Sequence, residues 1–201
     1  MAKKESTLLQ LILSLTIISV IAGIALAGIH SITKEPIEKA QIVKKNKAIS
    51  GVLPDFNYEK GEIKEVTLMP ETGKDSIKLY MAYTDGKLYG AAAETYTDMA
   101  FSGRFTIMVG FDAEGNITGT EVLQMAETPG LGDKIDKNKD NKFAPQFIGK
   151  NPETFKLKVK KDGGDVDAIT AATITSRAFC DAVERAYKTF IKAKEENYEE
   201  D

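Results

Sequence analysis

SIKLYMAYTDGKLYGAAAET, residues 76–95, holds two runs that alternate apolar with polar or small residues on either side of Asp85-Gly86. Period-two alternation marks a half-buried strand, and aromatic and β-branched side chains suit its pleated surface. Asp-Gly between two such runs is a hairpin signal, because the turn that matches strand twist needs positive φ at both positions. The pattern continues outward in both directions. IKEVTLM (63–69) comes before it, and RFTIMVGF (104–111) and NITGTEVLQM (116–125) come after, with Glu114-Gly115-Asn116 as the turn between the last two. Consecutive, hairpin-linked strands with helical patterns at the two ends predict an α+β fold with an antiparallel sheet.

Upstream, Leu8–Ile29 (LLQLILSLTIISVIAGIALAGI) carries no charge, and its polar side chains are Gln10, Ser14, Thr16 and Ser19. About 20 such residues cross a bilayer as a helix. A domain of this size has too few apolar partners to bury so long a segment on all sides. Ala25-Leu26-Ala27 resembles a signal-peptide cleavage site, yet the run exceeds the roughly 7–15 residues of a signal's apolar region, which favours a retained anchor. Lys3 and Lys4 precede the span, so the positive-inside rule puts the N-terminus in the cytoplasm and the rest of the chain outside. From Ser31 to Gly51, Ile37, Ala40, Val43 and Ala48 form a loose apolar face among five lysines. Pro36 suits the first turn of this connector helix, and Gly51 and Pro54 stop it. The division predicted is 1–7 cytoplasmic, 8–30 transmembrane, 31–51 connector, 52–195 the soluble domain and 196–201 an acidic tail that frays.

Composition narrows the functions. The 201 residues suit one domain plus a short extra element, and a net charge of −3 leaves no basic footprint for nucleic acid. One cysteine rules out an intramolecular disulfide framework, and a single histidine without a Cys/His cluster rules out the usual zinc and haem ligand sets. Asp136, Asn138 and Asp140 have the first spacings of a calcium loop. Asn141 stands where that loop needs Gly, however, and Phe147 where it needs Glu, so this is read as a charged surface loop. A short helix is predicted over 141–148 and a strand over Thr154–Val159, leading through Gly163-Gly164 into the last informative stretch.

That stretch is DVDAITAATITSRAFCDAVERAYKTF, residues 165–190. Ala178, Phe179, Ala182, Val183, Ala186, Tyr187, Phe190 and Ile191 make one apolar stripe on a helix. Cys180, next to Phe179, reads as a small buried residue on that stripe. Ahead of the stripe lies a loop rich in hydroxyls, with Thr175 or Ser176 placed as the N-cap. Free N–H groups at a helix entry favour a phosphate, and physics alone supports no more here than an anion site or an ordinary capped helix. Upstream, Glu127-Thr128-Pro129-Gly130-Leu131-Gly132 follows a strand. Its proline and glycines make a shaped loop, which by itself is an ordinary tight turn.

Asp167-Ala168-Ile169-Thr170-Ala171-Ala172-Thr173 resembles the flavinylation motif of FMN-binding domains in Rnf and Na+-translocating quinone reductase complexes. ETPGLG resembles the second signature of the same family. The chain as a whole is similar to the Rnf G subunits, the quinone reductase C subunits being longer. The resemblance implies FMN attached through a phosphoester to Thr173. Ala171 stands where the family more often has Gly. It also implies that Asp167, Thr170, Ala172, Thr175 and Ser176 shape the phosphate loop. In the second signature it implies that Thr128 and Leu131 touch the flavin, that Gly130 and Gly132 let the backbone approach it, and that Glu127 belongs to the site. Lys134, just beyond, is a candidate to offset charge on reduced flavin, against the plain reading of a solvated lysine.

The function so implied is electron transfer within an ion-translocating ferredoxin:NAD+ oxidoreductase. Partners would be the other membrane subunits and, for maturation, a flavin transferase. The sequence shows no nucleophile–base arrangement and no sign of a substrate site, so catalysis would belong to the assembled complex. The alternatives are the same flavin domain in the quinone reductase or another extracytoplasmic module, and a cofactor-free anchored binding module.

Overall fold

The computed structural model describes residues 7–140 and 142–198. Lys3, Lys4, Asn141 and the end of the acidic tail lie outside the described residues. The chain divides into two compact units, Met1–Lys44 and Lys45–Asp201.

Helix α1 (Leu8–Val52) runs continuously through the predicted anchor and connector. Its apolar window is unburied throughout and is long enough to cross a membrane. Thr16 Oγ1 bonds back to the Ile12 carbonyl and Ser14 Oγ to that of Leu11, both at 2.9 Å, so two of its polar side chains satisfy themselves locally. Pro36 lies inside α1 instead of opening a second helix. Ion pairs Lys34–Glu38 and Glu35–Lys39 bridge that position one helical turn apart, which helps hold the helix where the proline removes a backbone bond.

The second unit is a five-stranded antiparallel meander in the order of the sequence. Its strands are β1 (Glu62–Leu68), β2 (Ile77–Thr84), β3 (Lys87–Thr97), β4 (Phe105–Asp112) and β5 (Ile117–Gln124). Asp85 and Gly86 have φ of 51° and 76°, the doubly left-handed turn that the dipeptide predicts. Alternate strand residues bury on opposite faces. Ile77, Leu79, Met81, Phe105, Ile107, Val109 and Phe111 face a large core under helix α2 (Thr173–Tyr198). Tyr80, Ala82, Ala92 and Met108 face a smaller one closed by Ala48, Ile49, Val52, Leu53 and Phe56. The close approach of Val52 depends on Gly110 and Gly119, cross-strand partners whose missing side chains would meet it.

Two predicted elements differ. Thr154–Val159 forms no strand but a single parallel bridge, Val159 to Val166. Its inward residues Leu157 and Val159 are buried as alternation requires, but its partner is the loop that follows. Asp165 N–H donates to Lys156 O (3.1 Å) and Val166 N–H to Lys158 O (3.0 Å). The helix predicted over 141–148 is a 3₁₀ turn, Ala144–Phe147. Pro145 suits its start, and left-handed Gly149 (φ 71°) follows just beyond.

Candidate functional site

The loop entering α2 is fixed from several sides. Lys156 N–H donates to Asp165 Oδ2 at 2.8 Å. The Gln146 side chain clamps the backbone of Asp167, accepting from its N–H (2.8 Å) and donating to its carbonyl (3.1 Å). The Asp167 carboxylate is exposed and pairs with Lys160 at 2.7 Å. Ala171 has φ of +62°, a left-handed conformation that disfavours any residue bearing a Cβ. The positive φ gives a physical reason for glycine at this position of the motif.

The helix itself begins at Thr173, so Ala172, and neither Thr175 nor Ser176, stands at its entry. The hydroxyls of those two residues act elsewhere. Ser176 Oγ, fully buried, accepts from Ile169 N–H and donates to the Ala172 carbonyl, both at 3.0 Å, closing the loop from inside the first turn. Thr175 Oγ1 donates to Glu127 Oε2 at 2.9 Å. The first intrahelical bond runs from Ser176 N–H to Ala172 O (3.0 Å), so the N–H groups of Thr173, Ile174 and Thr175 precede it. Phe179, packed on Phe143, Phe147 and Phe105 at centroid distances of 5.3, 5.0 and 6.4 Å, anchors this end of α2 in the core.

The other wall is the 127–132 turn. Leu131 N–H reaches the Thr128 carbonyl at 3.1 Å across Pro129 and Gly130, and Gly130 has φ of +77°. Proline followed by a left-handed glycine is the type II arrangement. Gly130 N–H also donates to Asp133 Oδ1 at 2.7 Å. Glu127 is buried, and its Oε1 accepts from Ser102 N–H at 3.0 Å. One carboxylate therefore joins three segments: the β3–β4 loop, the ETPGLG turn and the first turn of α2. Gly132 lies against this junction. A Cβ there would overlap Glu127 Oε2 and come within 2.9 Å of Thr175 Oγ1.

Between the walls is a cleft of about 320 Å³, at the small end of the roughly 300–1,000 Å³ of ligand sites. Of the predicted residues, Glu127, Thr128, Leu131, Gly132, Ala172, Thr173 and Thr175 line it. Asp167 and Thr170 do not; they line a neighbouring hollow with Lys134 and Lys142. Gly130 and Ser176 support the walls from outside the cleft. The lining also includes Phe101, Ala171 and Ile174, which sequence reasoning did not assign to the site. Among the described residues no hydrogen bond occupies the hydroxyl of Thr173, itself a half-buried residue, in contrast to Thr175 and Ser176.

Residues 101–188 match the family described as FMN-binding domain. Among curated relatives, the G subunit of the ion-translocating oxidoreductase complex from Aliivibrio fischeri (strain MJ11) is 37% identical over 84% of this chain and 85% of its own. The protein of the same name from Escherichia coli (strain K12) is 36% identical over 80% of each chain. That from Haemophilus influenzae (strain PittEE) is 33% identical over 84% of this chain and 83% of its own. The chain belongs to this G-subunit family.

Both motifs that suggested the G-subunit family lie inside the matched segment, and both contribute to one cleft. Phe101 opens that segment, yet it lies in the β3–β4 loop between two periodic runs, where no sequence pattern singled it out. Cys180 faces the core of this G-subunit domain and does not line the cleft, and burial pushes its thiol up to about 12. Asp136, the first residue of the calcium-like spacing, accepts from Asn138 N–H and Nδ2 at 2.8 Å, an Asx turn.

Proposed function

We propose that the chain is the membrane-anchored, FMN-carrying subunit of an Rnf-type ion-translocating oxidoreductase, with the flavin joined to Thr173 through a phosphoester. A single observation carries the reading. The free hydroxyl of Thr173 and the Thr128–Leu131 turn border the same cleft, though 42 positions separate Leu131 from Thr173 in the numbering.

The residues present suit the group. Phe101, Leu131, Ala171, Ala172 and Ile174 give the cleft an apolar lining for a planar ring system. The N–H groups ahead of the first helical bond, with the helix dipole behind them, favour a phosphate beside Thr173. FMN supplies the redox chemistry, and this chain binds and orients it. In attachment the Thr173 oxygen loses its proton and bonds to phosphorus, displacing the leaving group of an activated flavin nucleotide supplied by a transferase. Buried Ser176 and Glu127-bound Thr175 are poor acceptors beside it. The unburied apolar window of α1 supports a single-pass anchor, and Lys3 and Lys4 support a cytoplasmic N-terminus with the flavin outside.

The experiment is co-expression of the full chain with a flavin transferase and a denaturing gel under ultraviolet light. A fluorescent band is expected for the wild type and for Thr173→Ser, and none for Thr173→Ala. A band that survives Thr173→Ala refutes the linkage.

A further inference from the structure

Phe101 is 69% exposed, and Met99, two positions before it, is 61% exposed. Exposed apolar side chains gathered at one place, here with Leu131 and Ile174 across the cleft, mark a surface that a ligand or partner covers, which singly scattered ones do not. The loop that carries them is not slack. Thr97 Oγ1 accepts from Met99 N–H at 3.2 Å, and Glu127 Oε1 accepts from Ser102 N–H at 3.0 Å. Arg104 closes its base on Asp98 with two bonds of 2.6 and 2.9 Å. The loop thus presents an aromatic ring from a fixed frame, which lowers the ordering cost of covering it. What would cover it is indicated by position, since Phe101 lines the same cleft as Thr173, Leu131 and Ile174.

We propose that Phe101 is the aromatic platform on which the isoalloxazine ring rests, a binding residue outside both sequence motifs. The proposal builds on the reading that Thr173 carries FMN. A tether at Thr173 keeps the ring at an effective concentration on the order of millimolar, so ring burial and stacking together need only a millimolar intrinsic affinity to keep it docked about half of the time.

The chain has no tryptophan, which makes a tryptophan substitution a clean reporter. Phe101→Trp keeps an aromatic face and adds a side chain that quenches flavin emission on contact. Tyr89→Trp, at a position that packs against the core on the opposite face of the sheet, serves as the control. Both are made in the full chain, co-expressed with the transferase and purified in detergent. Covalent flavin is counted by absorbance after denaturation. The expected result is equal flavin content, with native emission of Phe101→Trp several-fold below that of Tyr89→Trp. Unfolding should restore equal emission. If Phe101→Trp does not take up flavin, Phe101→Tyr, also a contact quencher, is read in its place. Equal native emission at equal flavin content overturns the platform, leaves the Thr173 linkage intact and assigns the exposed ring to another membrane component of the complex. Absence of flavin from the wild type overturns both.

Discussion

The Thr175 hydroxyl donates to Glu127 Oε2 at 2.9 Å, joining residues 48 apart, while the other carboxylate oxygen holds Ser102 N–H. This pairing sets the spacing between the two walls of the cleft. Glu127→Gln keeps an oxygen for Ser102 and offers an amide that Thr175 Oγ1 can accept from, so it is expected to cost no more than about 1 kcal/mol. Glu127→Ala leaves both partners unpaired in a buried site and is expected to cost about 2–3 kcal/mol. Denaturant unfolding of the two variants checks the order.

Gly132 and Gly130 differ in kind, although both belong to ETPGLG. Gly132→Ala forces a methyl group into the Glu127–Thr175 junction, an overpacking cost of about 1–3 kcal/mol together with loss of flavin attachment. Gly130 has open space around it and only its left-handed φ to protect, so Gly130→Ala is expected to cost about 1–2 kcal/mol. Attachment, read as in-gel fluorescence per mole of protein, should survive at position 130 and fail at 132.

Ala171 sits at φ +62°. Ala171→Gly removes the steric penalty but adds freedom to the unfolded chain, for a net gain of up to about 1 kcal/mol. Ala171→Val, β-branched and poorly suited to that region, should lower the melting temperature. Calorimetry on both variants tests the left-handed assignment directly.

Alkaline pH should weaken the fold. Burial pushes the Cys180 thiol from 9.0, and the Tyr80 and Tyr187 phenols from 10.0, each up to about 12. Between those values the unfolded chain has released protons that the folded chain still holds, so stability falls as pH rises. The urea midpoint is expected to be level up to about pH 9 and then decline toward pH 12. In the native state Cys180 should resist alkylation at neutral pH and react only on unfolding.

Legibility in the sequence was uneven for physical reasons. The meander could be read because each strand alternates and Asp85-Gly86 allows one turn geometry. Thr154–Val159 alternates without being a strand because alternation reports burial, and the neighbour that would make it a strand is set by tertiary structure. In the hydroxyl cluster the residue types were plain but their partners were not. Ser176 turns back to Ile169 and Thr175 reaches Glu127, which leaves Ala172 at the helix entry. Phe101 carried no signal, because its significance comes from the folding of the β3–β4 loop against the distant ETPGLG turn.

The seating of Val52 against the paired glycines Gly110 and Gly119 has a practical bearing. The stretch from Lys45 to Gly51 reads in sequence as connector, yet with Val52, Leu53 and Phe56 it plugs the back of the sheet, and Lys45 itself pairs with Glu94 at 2.9 Å. A water-soluble fragment should therefore start at or before Lys45. One trimmed to Pro54 would strip Tyr80, Ala82, Ala92 and Met108 of most of their cover and be recovered as aggregate.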